Sequence, residues 1–176
     1  MISNKKLTAF ENRIGYIFKN KQILINSLIH PSYLIDKKKN IPNDFNDFER
    51  LEFLGDRVLG LIIASLLFKN YKDFNEGDLS KKYSYLVQKN FLYKISIDLS
   101  IDKILLYNFK KNNEKTKISI LSDSVESLIG GIFIDGGYNS SFEFINKFWS
   151  PHLDIEVSKT LDPKTTLQEL SQQISK

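Results

Sequence analysis

Two segments of this chain are too apolar to lie on a surface, yet each carries carboxylates where a buried stripe should run. In "ERLEFLGDRVLG" (49–60), which continues into the apolar run "VLGLIIASLLF" (58–68), Glu49, Glu52 and Asp56 recur at i, i+3 and i+7. In "LSDSVESLIGGIFIDGG" (121–137), Asp123 and Glu126 stand at i, i+3, with a glycine pair following. A helix advances roughly 100° per residue, so these spacings hold each set of acids within an arc of about 60°. Like charges that close repel one another and call for a cation. If the two helices pack with their acidic faces opposed, Glu52, Asp56, Asp123 and Glu126 form a four-carboxylate cluster at the mouth of the core.

Helical periodicity dominates the rest, and no alternating strands joined by Asn-Gly or Asp-Gly turns occur, so the expected class is all-α. The pattern predicts helices at about 4–18 and 21–30, the second ended by Pro31, then a polar loop, "DKKKNIPND". A long helix is expected from Asp47 to Tyr71. Two more are expected across "NEGDLSKKYSYLVQKNFLYKISIDLS", with Asp78 as N-cap and a break near Asn90. A short helix over "IDKILLYN" and a flexible loop at 108–117 precede the second buried helix, which Gly136 and Gly137 should stop. A final amphipathic helix, "SSFEFINKFWSPHL", follows. Gly55 and Gly60 each weaken a helix by roughly 1 kcal/mol against alanine, which close approach by a neighbouring backbone or a ligand would offset.

The chain has 176 residues, 41% of them hydrophobic, enough for one domain with an ordinary core. It has no cysteine, which excludes thiolate metal sites and a cysteine nucleophile and fits a reducing compartment; the expected location is the cytoplasm. The longest apolar run is too short for a bilayer, which needs about 20 residues, so no membrane partner is expected. Lysines cluster at 37–39, 81–82 and in "FKKNNEKTK", placed by the pattern in loops or at helix ends; they suit a polyanion or an ordinary solvated surface.

The cluster's chemistry follows from its donors. Arg50 and Arg57 adjoin Glu49 and Asp56 in sequence, but i, i+1 neighbours point about 100° apart, which is expected to keep them from pairing. Oxygen ligands without histidine or thiolate select Mg²⁺ or Mn²⁺ over zinc or copper. Only His30 and His152 exist, and neither follows a glutamate at di-iron spacing; His30 reads as a cap closing the second helix. A hard divalent ion with no serine, cysteine or histidine nucleophile in view points to water attacking a phosphodiester.

These residues resemble the ribonuclease III family. "ERLEFLGDRVLG" is similar to its signature helix, "EGDLS" (76–80) to its next acidic turn, "LSDSVESLIGGIFIDGG" to its second catalytic helix, and "IGYIFKNKQILINSLIHPSY" (14–33) to its opening helices. The resemblance implies the family's helical endonuclease bundle over 1–158. Residues 159–176 are then expected to be a linker and the start of an absent double-stranded-RNA-binding domain. It further implies a Mg²⁺-dependent (Mn²⁺ substituting) endoribonuclease that cuts double-stranded RNA to 5′-phosphate and 3′-hydroxyl ends in rRNA, mRNA or tRNA processing, without a small-molecule cofactor. By the same resemblance Asp56 and Glu126 are catalytic, and Glu52, Asp56, Asp123 and Glu126 are metal-binding. Glu49 and Glu76 line the RNA cleft, with a plain surface role standing beside that one. The family is a homodimer, and Phe53 matches the aromatic side chain that enters the partner. Phe48 departs from the polar residue that many members carry. The alternative is a non-catalytic RNA- or ribosome-binding module of the same fold, which should have lost one of the four acids.

Overall fold

A computed structural model describes residues 2–35, 47–108 and 113–154, with the side chains of 34 and 35 left aside. Among the described residues the order is α1 (Asn4–Ile14), α2 (Lys21–Ser27), α3 (Pro31–Ile35), α4 (Asp47–Asn70), α5 (Glu76–Val87), α6 (Lys89–Asp98) and α7 (Glu114–Trp149), with 3₁₀ turns at Ile101–Lys103 and Ser150–His152. No strand occurs among them, only one isolated bridge between Ile29 and Leu106. The expected linker and truncated domain at 159–176, the lysines at 37–39 and residues 109–112 of the Lys- and Asn-rich loop lie outside the described residues.

α4 and α7 form the centre. α4 buries Leu51, Val58, Leu59, Ile62, Ile63 and Leu67; α7 answers with Leu121, Val125, Leu128, Ile129 and Ile132. The helices touch backbone to backbone where each has a glycine. A Cβ added to Gly55 would overlap the Glu126 carbonyl and lie 2.8 Å from Gly130 N. One added to Gly130 would overlap the Leu51 carbonyl and lie 3.1 Å from Leu51 Cα. α2 packs on both, α5 on α4 and α6 on α7. Trp149, fully buried, donates from Nε1 to the Leu86 carbonyl at 3.1 Å and so ties the end of α7 to α5.

Several boundaries differ from expectation for identifiable reasons. α1 stops at Ile14 because Gly15 adopts φ 75° and donates its N–H to the Glu11 carbonyl. Pro31 opens α3 instead of merely ending α2, since proline's missing N–H is harmless in a first turn. His30 belongs to that new start: its Nδ1 accepts from Ser32 N–H at 3.1 Å, and its ring meets Phe48 edge-on. Asn75, not Asp78, caps α5, its side chain accepting from Asp78 N–H at 2.9 Å, and the break to α6 falls at Gln88. "IDKILLYN" makes only a 3₁₀ turn before Leu106 pairs with Leu28 and His30. The loop expected to 117 ends at Asn113, which caps α7 through Thr116 N–H. Gly137, at φ 75° and ψ −170°, does interrupt α7, separating the two helices expected there. Lys81 and Lys82 sit within α5, and Lys82 donates to the Leu153 carbonyl at 2.7 Å across the ring of Tyr71, a packing role. Among the described residues no helix is long and apolar enough to cross a membrane.

The glycine contact predicts unequal effects at similar positions. Gly130→Ala forces a methyl into the Leu51 backbone, which cannot yield, and should lower unfolding free energy by about 3 kcal/mol. Gly60→Ala meets only the Tyr83 hydroxyl, 2.6 Å from the added carbon, and should stay within about 1 kcal/mol of the parent. Urea unfolding of the two variants separates these outcomes; equal losses would mean that the helices do not meet backbone to backbone at Gly130.

Candidate metal centre

The glycine contact sets the spacing of the acids beside it. Glu52 lies less than one turn before Gly55, and Glu126 lies one turn before Gly130. With the backbones in contact, side chains from the two helices meet directly. Glu52, Asp123 and Glu126 each bring a carboxylate oxygen within 4.8 Å of the others, and all three are half-buried.

Their surroundings divide them. Asp123 is held on both oxygens: Ser119 Oγ donates to Oδ2 at 3.2 Å, and Lys89 Nζ lies 3.5 Å from Oδ1. Lys89 also donates to Ser119 Oγ at 2.8 Å. Glu52 and Glu126 have neither an ion pair nor a hydrogen bond among the described residues. Burial, then the charge of Asp123, pushes the Glu52 carboxyl up to about 7. Burial, then Asp123 and Glu52, does the same to Glu126, with Lys89 and Arg57 offsetting only part. Two carboxylates thus sit beside a third with less positive charge than they require.

The other candidates separate from this trio. Asp56, the fourth acid expected there, is not among the three; its Oδ2 is turned to Arg57. That pairing corrects the expectation that neighbours on a helix cannot meet, because arginine's long stem folds back over the ring of Phe53, its guanidinium carbon 5.1 Å from the centroid. Arg50 pairs one turn back with Asp47, at 3.2 Å. Glu49 is exposed and lines an open cavity of about 570 Å³ with Ile23, Leu51, Phe53, Leu54 and Ile134. Glu76 is exposed at the start of α5 and accepts from Ser80 Oγ at 2.7 Å, outside the trio. Phe53 is 65% exposed and so is not the ordinary core phenylalanine, whereas Phe48 is buried against His30. Lys89 and Ser119 escaped the sequence reading. Lys89 lies on a different helix at no fixed spacing from the acids, and the only local cue to Ser119 was a serine four residues before Asp123, one of many in this chain.

Three oxygen donors at this spacing, with no nitrogen or sulfur donor among them, fit a hard divalent cation. Residues 20–153 match a family model described as ribonuclease-III-like. The chain is 36% identical over 174 residues to ribonuclease 3 of Rickettsia felis, covering 98% of this chain and 75% of that protein. The chain belongs to the ribonuclease III family. The crystal structure of the ribonuclease III nuclease domain from Campylobacter jejuni matches with a TM-score of 0.71 and 34% identity, over 86% of this chain and 99% of that one. A second structure of that domain, concerned with flexibility in a region involved in dimer formation, matches with a TM-score of 0.65 and 35% identity, over 80% and 96%. The ribonuclease III fold therefore extends through the described helices.

The raised carboxyls make stability fall with pH. In the folded, metal-free protein Glu52 and Glu126 keep their protons to about pH 7, while the unfolded chain releases them near the ordinary glutamate value. The associated stability is complete below that ordinary value and is lost as pH rises through about 7. Glu126→Gln removes one of these charges. In chelator at pH 8 it should unfold on the order of 1 kcal/mol later than the parent, the figure being reduced by solvent screening, and the gap should close below pH 5. A variant less stable than its parent at pH 8 would mean that Glu126 is compensated in a way the geometry does not contain.

Proposed function

We propose that this chain is an Mg²⁺-dependent endonuclease of double-stranded RNA, with Mn²⁺ able to substitute. The observation that carries the reading is the trio: three carboxylates drawn together on the two central helices, two of them with no ion-pair partner among the described residues. Glu52, Asp123 and Glu126 would hold the ion. When bound, it would polarise a phosphoryl oxygen and lower the pKa of water, supplying a hydroxide as the nucleophile.

The protein's own groups divide the remaining work. Asp56 stands one turn along α4 from Glu52 and keeps part of its carboxylate in solvent beside Arg57, placed to orient water or the reacting phosphate. Water adds to phosphorus and the P–O3′ bond breaks. The proton that water gives up is matched by one delivered to the departing 3′ oxygen, leaving 5′-phosphate and 3′-hydroxyl ends. Asp56 and Glu126 are the residues assigned to this step, with Glu49 and Glu76 at the edge of the RNA cleft. All four acids of the pattern are present, so the non-catalytic alternative has no observation in its favour. The cellular substrates are the structured precursors of rRNA, mRNA and tRNA in the cytoplasm.

Two strands of a duplex require two sites, which a two-fold dimer supplies. Phe53 and Ile134, 65% and 57% exposed, flank the 570 Å³ cavity, so an aromatic side chain from a second copy would find an apolar socket there while donating its own Phe53 in return.

Two experiments test the proposal. With a labelled RNA duplex at low salt, cutting should require Mg²⁺, and Glu126→Gln should reduce its rate by at least about 10²-fold, or roughly 2.7 kcal/mol of barrier; equal cutting by variant and parent removes the assignment. In sedimentation at micromolar concentration the parent should be a dimer and Phe53→Ala shifted toward monomer. A monomeric parent would remove the role given to Phe53.

A further inference from the structure

Lys89, the first residue of α6, is the described cation whose ion pair reaches the trio from another helix. Its ammonium lies 3.5 Å from Asp123 Oδ1 and donates to Ser119 Oγ at 2.8 Å, and that hydroxyl in turn donates to Asp123 Oδ2 at 3.2 Å. The side chain is 65% exposed against 18% for Asp123, so the lysine stands at the rim and the carboxylate inside it. A divalent ion gathered by Glu52, Asp123 and Glu126 would share the Asp123 carboxylate with this ammonium, and the two cations would repel one another.

We propose that Lys89 is a tethered counter-charge that occupies Asp123 until a divalent ion loads, so that loading requires the ammonium to leave that carboxylate. The inference rests on the trio being the metal site. Three features make the exchange workable. The exposed stem can swing outward at little packing loss. Ser119, a neutral acceptor that already takes a hydrogen from the ammonium at 2.8 Å, keeps that bond as the ammonium turns away from Oδ1. Asp123 retains the Ser119 hydroxyl on Oδ2, so it stays oriented after the lysine withdraws. An ammonium released at the rim of an anionic cleft is then available to a phosphodiester oxygen. Because either ligand benefits when the other moves Lys89, the ion and the RNA backbone should strengthen each other's binding equally. Lys89 is thus a positioning residue that keeps the metal site weak in the free protein and couples its filling to substrate.

The test is Mn²⁺ alone, titrated calorimetrically into the full chain without RNA, for the parent, Lys89→Met, Lys89→Arg and Ser119→Ala. Removing the competing charge should tighten Mn²⁺ binding by Lys89→Met about threefold to tenfold, while Lys89→Arg stays within about twofold of the parent. Ser119→Ala should weaken the ion, since Asp123 loses the hydroxyl that orients it. In chelator at pH 8, Lys89→Met should melt below the parent, because Asp123 has lost its ion-pair partner. If Lys89→Met binds Mn²⁺ no tighter than the parent, in a parent whose binding Glu126→Gln abolishes, the counter-charge role is overturned and the metal site stands. A parent that binds no Mn²⁺ overturns both.

Discussion

The contact between Gly55 and Gly130 is the constraint on which the rest of the structure depends. Both residues weaken the helices that contain them, and a methyl group on either would enter the backbone of the other helix. What the missing side chains allow is an approach close enough for carboxylates from α4 and α7 to share one small volume. Separated by ordinary side chains, the same acids would face solvent independently, and their repulsion would be spread over a wider and wetter surface. The apolar residues that follow each acid, Leu59, Ile62 and Ile63 on α4 and Leu128, Ile129 and Ile132 on α7, anchor the pair so that this close approach is held.

Charge around the cluster is balanced only in part. Arg57 answers Asp56, and Lys89 with Ser119 answers Asp123, while burial first and the neighbouring acids second raise the carboxyls of Glu52 and Glu126. This uneven distribution distinguishes the site from a structural ion-pair network, in which each acid would be matched. The acids that have partners are oriented by them, and those without partners supply the attraction for a cation. Orientation and affinity are thereby assigned to different residues of a single cluster.

Much of this was legible in the sequence because both helices are long and strongly patterned. Acids at i, i+3 inside an apolar stripe identify the helix, its buried face and the interruption of that face, and opposed faces then follow from the need to bury both stripes. Features set by side-chain reach were not legible. Whether Asp56 joined the trio depended on which way a neighbouring arginine folded, and that arginine found the ring of Phe53 to lie on. Lys89 reached Asp123 from the start of a different helix, a juxtaposition made by the packing of α6 on α7 with no spacing to announce it. Helix ends were misjudged for a similar reason: Asn75 and Pro31 compete with equally plausible neighbours, and only the folded backbone decides which N–H is left to be capped.

The two glycine-joined helices bring together an oxygen-lined site suited to a hard divalent ion. Anomalous scattering from crystals of this chain grown with Mn²⁺ tests it most directly. A peak within coordination distance of oxygens from Glu52, Asp123 and Glu126 together is the expected result. A peak held by other residues, or crystals that take up Mn²⁺ while these three side chains point apart, would contradict it.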